Sequence, residues 1–212
     1  MRRRSFPYLL YLVLSEADCL EKNYMHVAEQ AIIGGVDIIQ LREKDLTAKE
    51  YIAKAQRLKE ITDRYAIPLI INDNLEVAKK IGAFGIHVGN NDVPPTQIRK
   101  EWNSCQSLGY SIEFIEQLQS KETEAADCLG ISPVFHTPTK KDTVTAWGIE
   151  GIAALRKLTD KPLIAIGGMN AANAEAALKA GADCIAVVSA ICAAADPQKA
   201  AYELKNILLR NL

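Results

Sequence analysis

One seven-residue pattern recurs along the chain. Gly35-Val-Asp-Ile-Ile-Gln-Leu41 resembles Gly82-Ala-Phe-Gly-Ile-His-Val88, Ala125-Ala-Asp-Cys-Leu-Gly-Ile131 and Gly181-Ala-Asp-Cys-Ile-Ala-Val187. Each copy opens on a small residue after a stretch of helical periodicity and closes in a short apolar run. A small residue just past a helix suits its termination. A run of four or five apolar residues without alternation is the signature of a strand covered on both faces. The repeat therefore predicts a recurring helix-to-strand junction.

Reading outward from it gives strands at 8–14, 37–41, 68–72, 85–88, 106–110, 128–131, 162–166 and 184–188. Helices are predicted between them at 23–33, 47–65, 75–82, 95–103, 112–120, 148–158, 171–180 and 196–210. The second helix opens with the capping box Thr47-x-x-Glu50. Its apolar residues Ile52, Ala55, Leu58 and Ile61 predict one buried stripe. Eight βα units imply a parallel sheet. With no spare element for a second domain, the economical answer is an α/β fold: one (β/α)8 TIM barrel over residues 1–212. An open doubly wound sheet would need a glycine fingerprint after the first strand, and Leu14-Ser15-Glu16-Ala17 has none.

Composition narrows the partners. The chain has 212 residues, with 25 Lys plus Arg against 26 Asp plus Glu, so nothing in its charge calls for nucleic acid or an anionic membrane. No apolar run reaches the ~18 residues of a membrane span. The run Tyr8–Leu14 behind Arg2-Arg3-Arg4 reads as a first strand after a basic tail, since Ser15-Glu16-Ala17-Asp18 breaks it and no small-residue cleavage site follows. Five cysteines without a Cys-x-x-Cys read as reduced, buried thiols of a cytoplasmic protein.

In such a barrel the chemistry sits at the C-terminal ends of the strands. Those ends carry Gln40 and Arg42-Glu43-Lys44-Asp45, Asn72-Asp73-Asn74, Gly89-Asn90-Asn91-Asp92, Ser111, the stretch Ser132–Asp142, Gly167-Gly168-Met169-Asn170 and Ser189-Ala190. Strands 2, 4, 6 and 8 are entered through Val36-Asp37, Phe84-Gly85, Asp127-Cys128 and Asp183-Cys184, without a basic residue, so the cations are expected to concentrate on the opposite rim. The glycine pair and Ser189-Ala190 suit a phosphate reached by backbone N–H groups, although a glycine turn for chain reversal has the same appearance. Arg42, Lys44 and Lys140 bring more charge than one phosphate needs and point to a diphosphate. Glu43 is expected to turn away as a support. Asp73 and Asp92 end neighbouring strands. Each alone could be a cap or turn residue; together, beside a diphosphate, they suit Mg2+. His87 lies in a strand and reads as a core or supporting residue. His26 reads as a surface residue, and His136 as an exposed loop residue.

These segments resemble the thiamine phosphate synthase family over essentially the whole chain. The resemblance is carried by Leu10-Tyr-Leu-Val13, Gln40-Leu-Arg-Glu-Lys-Asp45, Ile70-Ile-Asn-Asp73, Gly85-Ile-His-Val-Gly89 with Asp92, Gly130 through Lys141, Ala165-Ile-Gly-Gly168 and Val187-Val-Ser-Ala-Ile191. It implies that a hydroxymethylpyrimidine diphosphate loses pyrophosphate to the nitrogen of a thiazole phosphate, giving thiamine phosphate. It further implies that Gln40, Arg42, Lys44 and Asn72 hold the pyrimidine diphosphate, and that Asp73 and Asp92 hold Mg2+. Ser111 and Lys140 would contact the departing pyrophosphate, with Arg42, Ser111 and Lys140 counted as catalytic. Thr137 and Thr139 would position the thiazole, while Gly168, Val188 and Ser189 would hold its phosphate.

The chain departs from the family pattern at Asn74, at Asn90-Asn91, at Leu14-Ser15 and at Glu113, where arginine, glutamine-glutamate, threonine-aspartate and histidine are common. The partners expected are therefore the two small-molecule substrates, with self-association of the chain left open. Two rival readings remain at this point. One is a thiazole tautomerase-like paralogue, which would use a histidine where Glu113 stands. The other is a non-catalytic protein that binds thiazole phosphate.

Overall fold

A computed structural model of the chain describes residues 6–136 and 146–211. Eight parallel strands pair in sequence order and close on themselves, β1 with β8. They are β1 (Leu10–Leu14), β2 (Ile38–Leu41), β3 (Leu69–Asn72), β4 (Gly85–Val88), β5 (Ser107–Ile112), β6 (Cys128–Ile131), β7 (Leu163–Ala165) and β8 (Cys184–Val187). The helices alternate with them as α1 (Tyr24–Ile33), α2 (Ala48–Arg64), α3 (Leu75–Ile81), α4 (Pro95–Glu101), α5 (Lys121–Ala125), α6 (Gly148–Leu158) and α7 (Ala174–Lys179); α8 (Ser189–Cys192) and α9 (Pro197–Leu209) follow β8. The barrel expected from the sequence is the fold observed. Among the described residues no helix is long and apolar enough to cross a membrane.

Strand alternation sorts the side chains. One set, including Leu12, Ile39, Ile71, Ile86, Leu129 and Ile185, is buried against the helices. The other set points into the lumen. Its lower layer is Tyr11, Ile38, Ile70, Cys128, Ile164, Cys184 and Ala186, closed from below by Phe6, Tyr8 and Phe84. Tyr8 packs edge-on against both Phe6 and Phe84, with ring centroids 5.0 and 6.3 Å away. Two residues further along the strands the lumen turns polar, with Gln40, Asn72, His87 and Ser111.

Three expectations are corrected. The stretch predicted as a helix at 112–120 is instead the end of β5, a 3-10 turn at Ile115–Gln119 and then α5. Ser111 accordingly lies within β5 rather than after it. In α2 the capping box forms, but Tyr51 rather than Ile52 is buried with Ala55, Leu58 and Ile61. Residues three apart turn only about 300° around a helix, so a strict spacing of three walks off the buried face.

The third correction concerns the lower rim, which does carry cations, supplied by helices. Asp37, just before β2, accepts the N–H groups of Leu9 and Leu10 at 2.9 Å each and pairs with Lys205 of α9. Asp127, before β6, accepts from Leu108 N at 2.8 Å and pairs with Arg99 of α4. Asp183, before β8, accepts from Leu163 N at 2.8 Å and from Arg156 of α6 at 2.8 Å. The aspartates of the sequence repeat are thus staples: each ties its strand to the preceding strand and to one helix, α9, α4 and α6 in turn. The fourth position of the pattern is Phe84, which packs under the lumen instead.

Removing Asp183 takes the acceptor from Leu163 N–H and leaves the Arg156 guanidinium with backbone carbonyls alone in place of a carboxylate. A charge-assisted hydrogen bond contributes roughly 1.5–3 kcal/mol. The side chains of Arg156 and Asp183 are 15% and 20% exposed, which keeps the loss below that of a fully buried pair. Asp183→Ala should therefore lower the unfolding free energy by about 2 kcal/mol. The measurement is the urea midpoint at constant m value, and an unchanged midpoint would show that this contact stabilises nothing.

Candidate active site

A cavity of about 420 Å³ opens at the C-terminal ends of the strands, directly above the apolar lower layer. The loop after β2 supplies its basic residues. Glu43 is drawn out of the mouth toward α2, where it meets Lys54 at 2.9 Å and accepts from Glu16 N at 3.0 Å. Lys54 also pairs with Glu16 at 2.6 Å and lies over the Tyr24 ring. Burial opposes the charge on Lys54, but its hydrogen bonds to Glu16 and Glu43 outweigh this and raise the pKa. With Glu43 held outside, Arg42 and Lys44 line the cavity. The expectation that Glu43 acts as a support is met.

At the ends of β3 and β4, Asp73 and Asp92 come within hydrogen-bonding reach of each other. Asp73 has a φ of 61°, in the left-handed region, which costs on the order of 1 kcal/mol for a residue with a Cβ. Its backbone N–H is fixed to His87 O at 2.8 Å, and its carboxylate pairs with Lys44. Asp92 accepts from Gly89 N at 2.8 Å. Burial, and then the neighbouring Asp73 carboxyl, push the pKa of Asp92 up. A carboxylate whose charge is opposed by a neighbouring carboxylate is an arrangement a divalent cation relieves. The donors of the pair are all oxygen, which suits a hard ion such as Mg2+. Asn74 does not face this site as a charge; its side chain caps α3 by accepting from Val77 N at 3.0 Å.

The lumen beneath is ordered by close packing. Gln40 is buried and donates to the Tyr11 hydroxyl at 2.9 Å. His87 Nε2 lies 2.9 Å from Ser111 Oγ. The imidazole fits there only because β5 and β6 carry glycines beside it: a Cβ at Gly109 would fall 2.3 Å from His87 Nδ1, and one at Gly130 would fall 3.0 Å from Cε1. Tyr51, on α2, donates to Leu41 O at 2.6 Å and so buttresses the end of β2 from outside.

Across the mouth stand Gly167, Gly168, Val188 and Ser189, the last beginning the short α8. The glycine pair has a packing reason as well as room for an anion. Both have left-handed φ values, 97° and 66°, and added Cβ atoms would meet Pro133 and Phe135 at 2.5 and 2.8 Å. Phe135 N–H donates to Gly167 O at 3.0 Å, so the loop after β6 is laid directly on this turn.

Ten of the residues singled out from the sequence line this one cavity: Gln40, Arg42, Lys44, Asn72, Asp73, Asp92, Ser111, Gly168, Val188 and Ser189. Thr137, Thr139 and Lys140 lie outside the described residues. Tyr11 was not singled out. Its signal was its register: Tyr11 is the inward residue of β1 paired with Ile38, one inward position below Gln40, where a hydroxyl can accept from the glutamine amide.

Comparison with known proteins agrees with this geometry. Residues 10–191 match the family model described as thiamine monophosphate synthase. A thiamine-phosphate synthase of Albidiferax ferrireducens is 43% identical over 199 residues, covering 94% of this chain and 91% of that protein. One from Leptospira biflexa is 41% identical over 201 residues, covering 93% and 96%. The solved structure of a thiamine phosphate pyrophosphorylase from Pyrococcus furiosus superposes with a TM-score of 0.87 at 30% identity, covering 97% of each chain. The match runs from β1 into α8, through every strand that contributes to the cavity, and the chain belongs to the thiamine monophosphate synthase family.

Proposed function

We propose that the chain joins a hydroxymethylpyrimidine diphosphate to a thiazole phosphate, releasing pyrophosphate and forming thiamine phosphate. The observation that carries this reading is the convergence of Asp73, Asp92 and Lys44 at one side of a cavity whose other side is the Gly167–Gly168 turn and Ser189. One side suits a diphosphate with its cation, the other a monophosphate. The relatives' printed name, thiamine-phosphate synthase, supports the same reaction. The tautomerase alternative gains nothing here, since Glu113 lines the cavity where that chemistry would need a histidine. The reading also takes the chain to work on small molecules in the cytoplasm.

In the reaction the bond between the pyrimidine methylene and the diphosphate oxygen breaks, and its electron pair leaves with pyrophosphate. The lone pair of the thiazole nitrogen forms the new C–N bond. With a carboxylated thiazole, carbon dioxide also leaves. Gln40, Arg42, Lys44 and Asn72 hold the pyrimidine diphosphate. Charge that grows on the leaving group meets Arg42, Lys140 and the Ser111 hydroxyl; Ser111 is held in place beforehand by His87 and needs no reorganisation. When His87 carries its proton on Nε2, it donates to Ser111 Oγ and leaves that hydroxyl free to donate onward. Asp73 and Asp92 would hold Mg2+, which supplies further neutralisation of the departing pyrophosphate. Thr137 and Thr139 position the thiazole, and Gly168, Val188 and Ser189 bind its phosphate.

Purified protein given both substrates and Mg2+ should release one pyrophosphate per thiamine phosphate formed. Thiazole tautomerisation without pyrophosphate release would select the rival. Lys140→Ala should slow the transfer by about 10²-fold, the usual effect of losing one donor to a developing anion; an unchanged rate would reduce Lys140 to scaffold.

Asp92→Asn should abolish Mg2+-dependent turnover, and full activity in that variant would remove the metal assignment. The same variant has a stability signature. A carboxyl whose folded pKa is raised above its unfolded value of about 3.9 destabilises the metal-free protein at neutral pH. That penalty disappears as pH falls through the raised pKa toward the unfolded one. Metal-free Asp92→Asn should therefore melt higher than the parent at pH 7, and the difference should shrink on acidification. A lower melting temperature at pH 7 would contradict the like-charge strain.

A further inference from the structure

The turns after β4 and β5 are tied together by side chains the reaction does not use. Asn90 Oδ1 accepts from the Tyr110 hydroxyl at 2.6 Å and from the Gln117 amide. The same Gln117 nitrogen also donates to the Tyr110 hydroxyl at 3.2 Å. At its other end, Gln117 Oε1 accepts the N–H groups of Glu113 and Phe114 at 2.7 and 2.8 Å. Tyr110 is buried in β5, and neither it nor Gln117 lines the cavity. Asn90 and Glu113, which they hold, do line it.

The held turn is the one that carries Asp92. It is closed internally by the bond from Gly89 N to Asp92 Oδ2, but that bond lies within the turn and does not fix it to the barrel. Asp73 faces Asp92 from the end of β3; Lys44 pairs with Asp73, yet the Asp73 carboxyl still opposes the charge on Asp92. Asn90, two residues before Asp92, is held by donors from the β5 side. Both donors converge on its single amide oxygen, and one of them rests on a buried ring.

We infer that Tyr110 and Gln117 are positioning residues that set how tightly the Asp73–Asp92 site holds its divalent cation. This rests on the reading of those aspartates as the cation site. Their hydrogen bonds keep the Gly89–Asp92 turn at the distance where both carboxylates reach one ion. Without them the turn relaxes under its own repulsion, and the first property lost is cation affinity. The rate at saturating cation is preserved, because neither side chain touches the substrates. Outer-shell partners of metal ligands commonly change affinity by tenfold or more.

The test uses Mn2+ as a paramagnetic probe, titrated into the full chain in the presence of inorganic pyrophosphate and followed by electron paramagnetic resonance without turnover. Tyr110→Phe keeps the ring and removes the hydroxyl; Tyr110→Phe with Gln117→Met removes every donor to Asn90. Binding should weaken about tenfold in the double variant and by a smaller factor in Tyr110→Phe. In parallel, the half-saturating Mg2+ concentration should rise while kcat at saturation stays within about twofold of the parent, the split expected when only a ligand's support is lost. If the double variant does not fold, Tyr110→Phe decides alone. Parental Mn2+ affinity in the folded variants would overturn the inference, as would a loss of kcat at unchanged affinity. Asp92→Asn serves as the reference: retained Mn2+ binding there would remove the cation site itself, whereas its loss, with Tyr110→Phe unchanged, would remove only the positioning role.

Discussion

Closure of eight short strands is the constraint on which the molecule depends. A barrel of this size has a lumen just wide enough for side chains, so every large inward residue needs a small one beside it. Tyr11 stands next to Ala186 in the register, and His87 lies over Gly109 and Gly130. Gly85 has no choice at all, since a Cβ there would fall 1.9 Å from Ser107 O. These small residues are what let a phenol, an amide and an imidazole occupy the lumen together. The bonds from Gln40 to Tyr11 and between His87 and Ser111 follow from that fit. The floor of the site is thus a product of packing before it is a product of chemistry.

Charge is sorted along the strand axis on top of this frame. The chain is almost neutral in total, with 25 basic and 26 acidic side chains. At the lower rim, Asp37, Asp127 and Asp183 are each matched to one cation and to strand N–H groups, so charge there is spent on cohesion. At the upper rim the matching is left incomplete. Lys54 withdraws Glu43 from the mouth, and Asp73 and Asp92 face each other with Lys44 paired to Asp73. Such local mismatch is where a charged ligand can contribute what the protein leaves out.

What the sequence revealed, and what it hid, follows the range of the interactions. The strands were legible because each is a continuous apolar run, and the site residues because barrel chemistry gathers where those runs stop. Gln40, Arg42, Asn72, Asp73 and Asp92 could be singled out on that ground. Tyr11 could not, because it sits inside its run and its partner lies on another strand. The lower-rim cations escaped notice because Arg99, Arg156 and Lys205 lie 28, 27 and 168 residues from their aspartates. The stretch after β5 misled for a local reason: its apolar residues Phe114 and Ile115 are exposed, and the Gln117 side chain captures the backbone N–H groups that a helix start would leave open.

The aromatic packing of Phe6, Tyr8 and Phe84 beneath the lumen has a kinetic meaning. With that end stoppered and the layer above it filled by Tyr11, Ile38, Ile70 and Ile164, the cavity is a blind sac. Reactants and products then share the opening at the C-terminal ends of the strands, past whatever already occupies it. The deeper ligand is then necessarily the first in and the last out, so the sealed floor of the barrel imposes a sequence on traffic at its top.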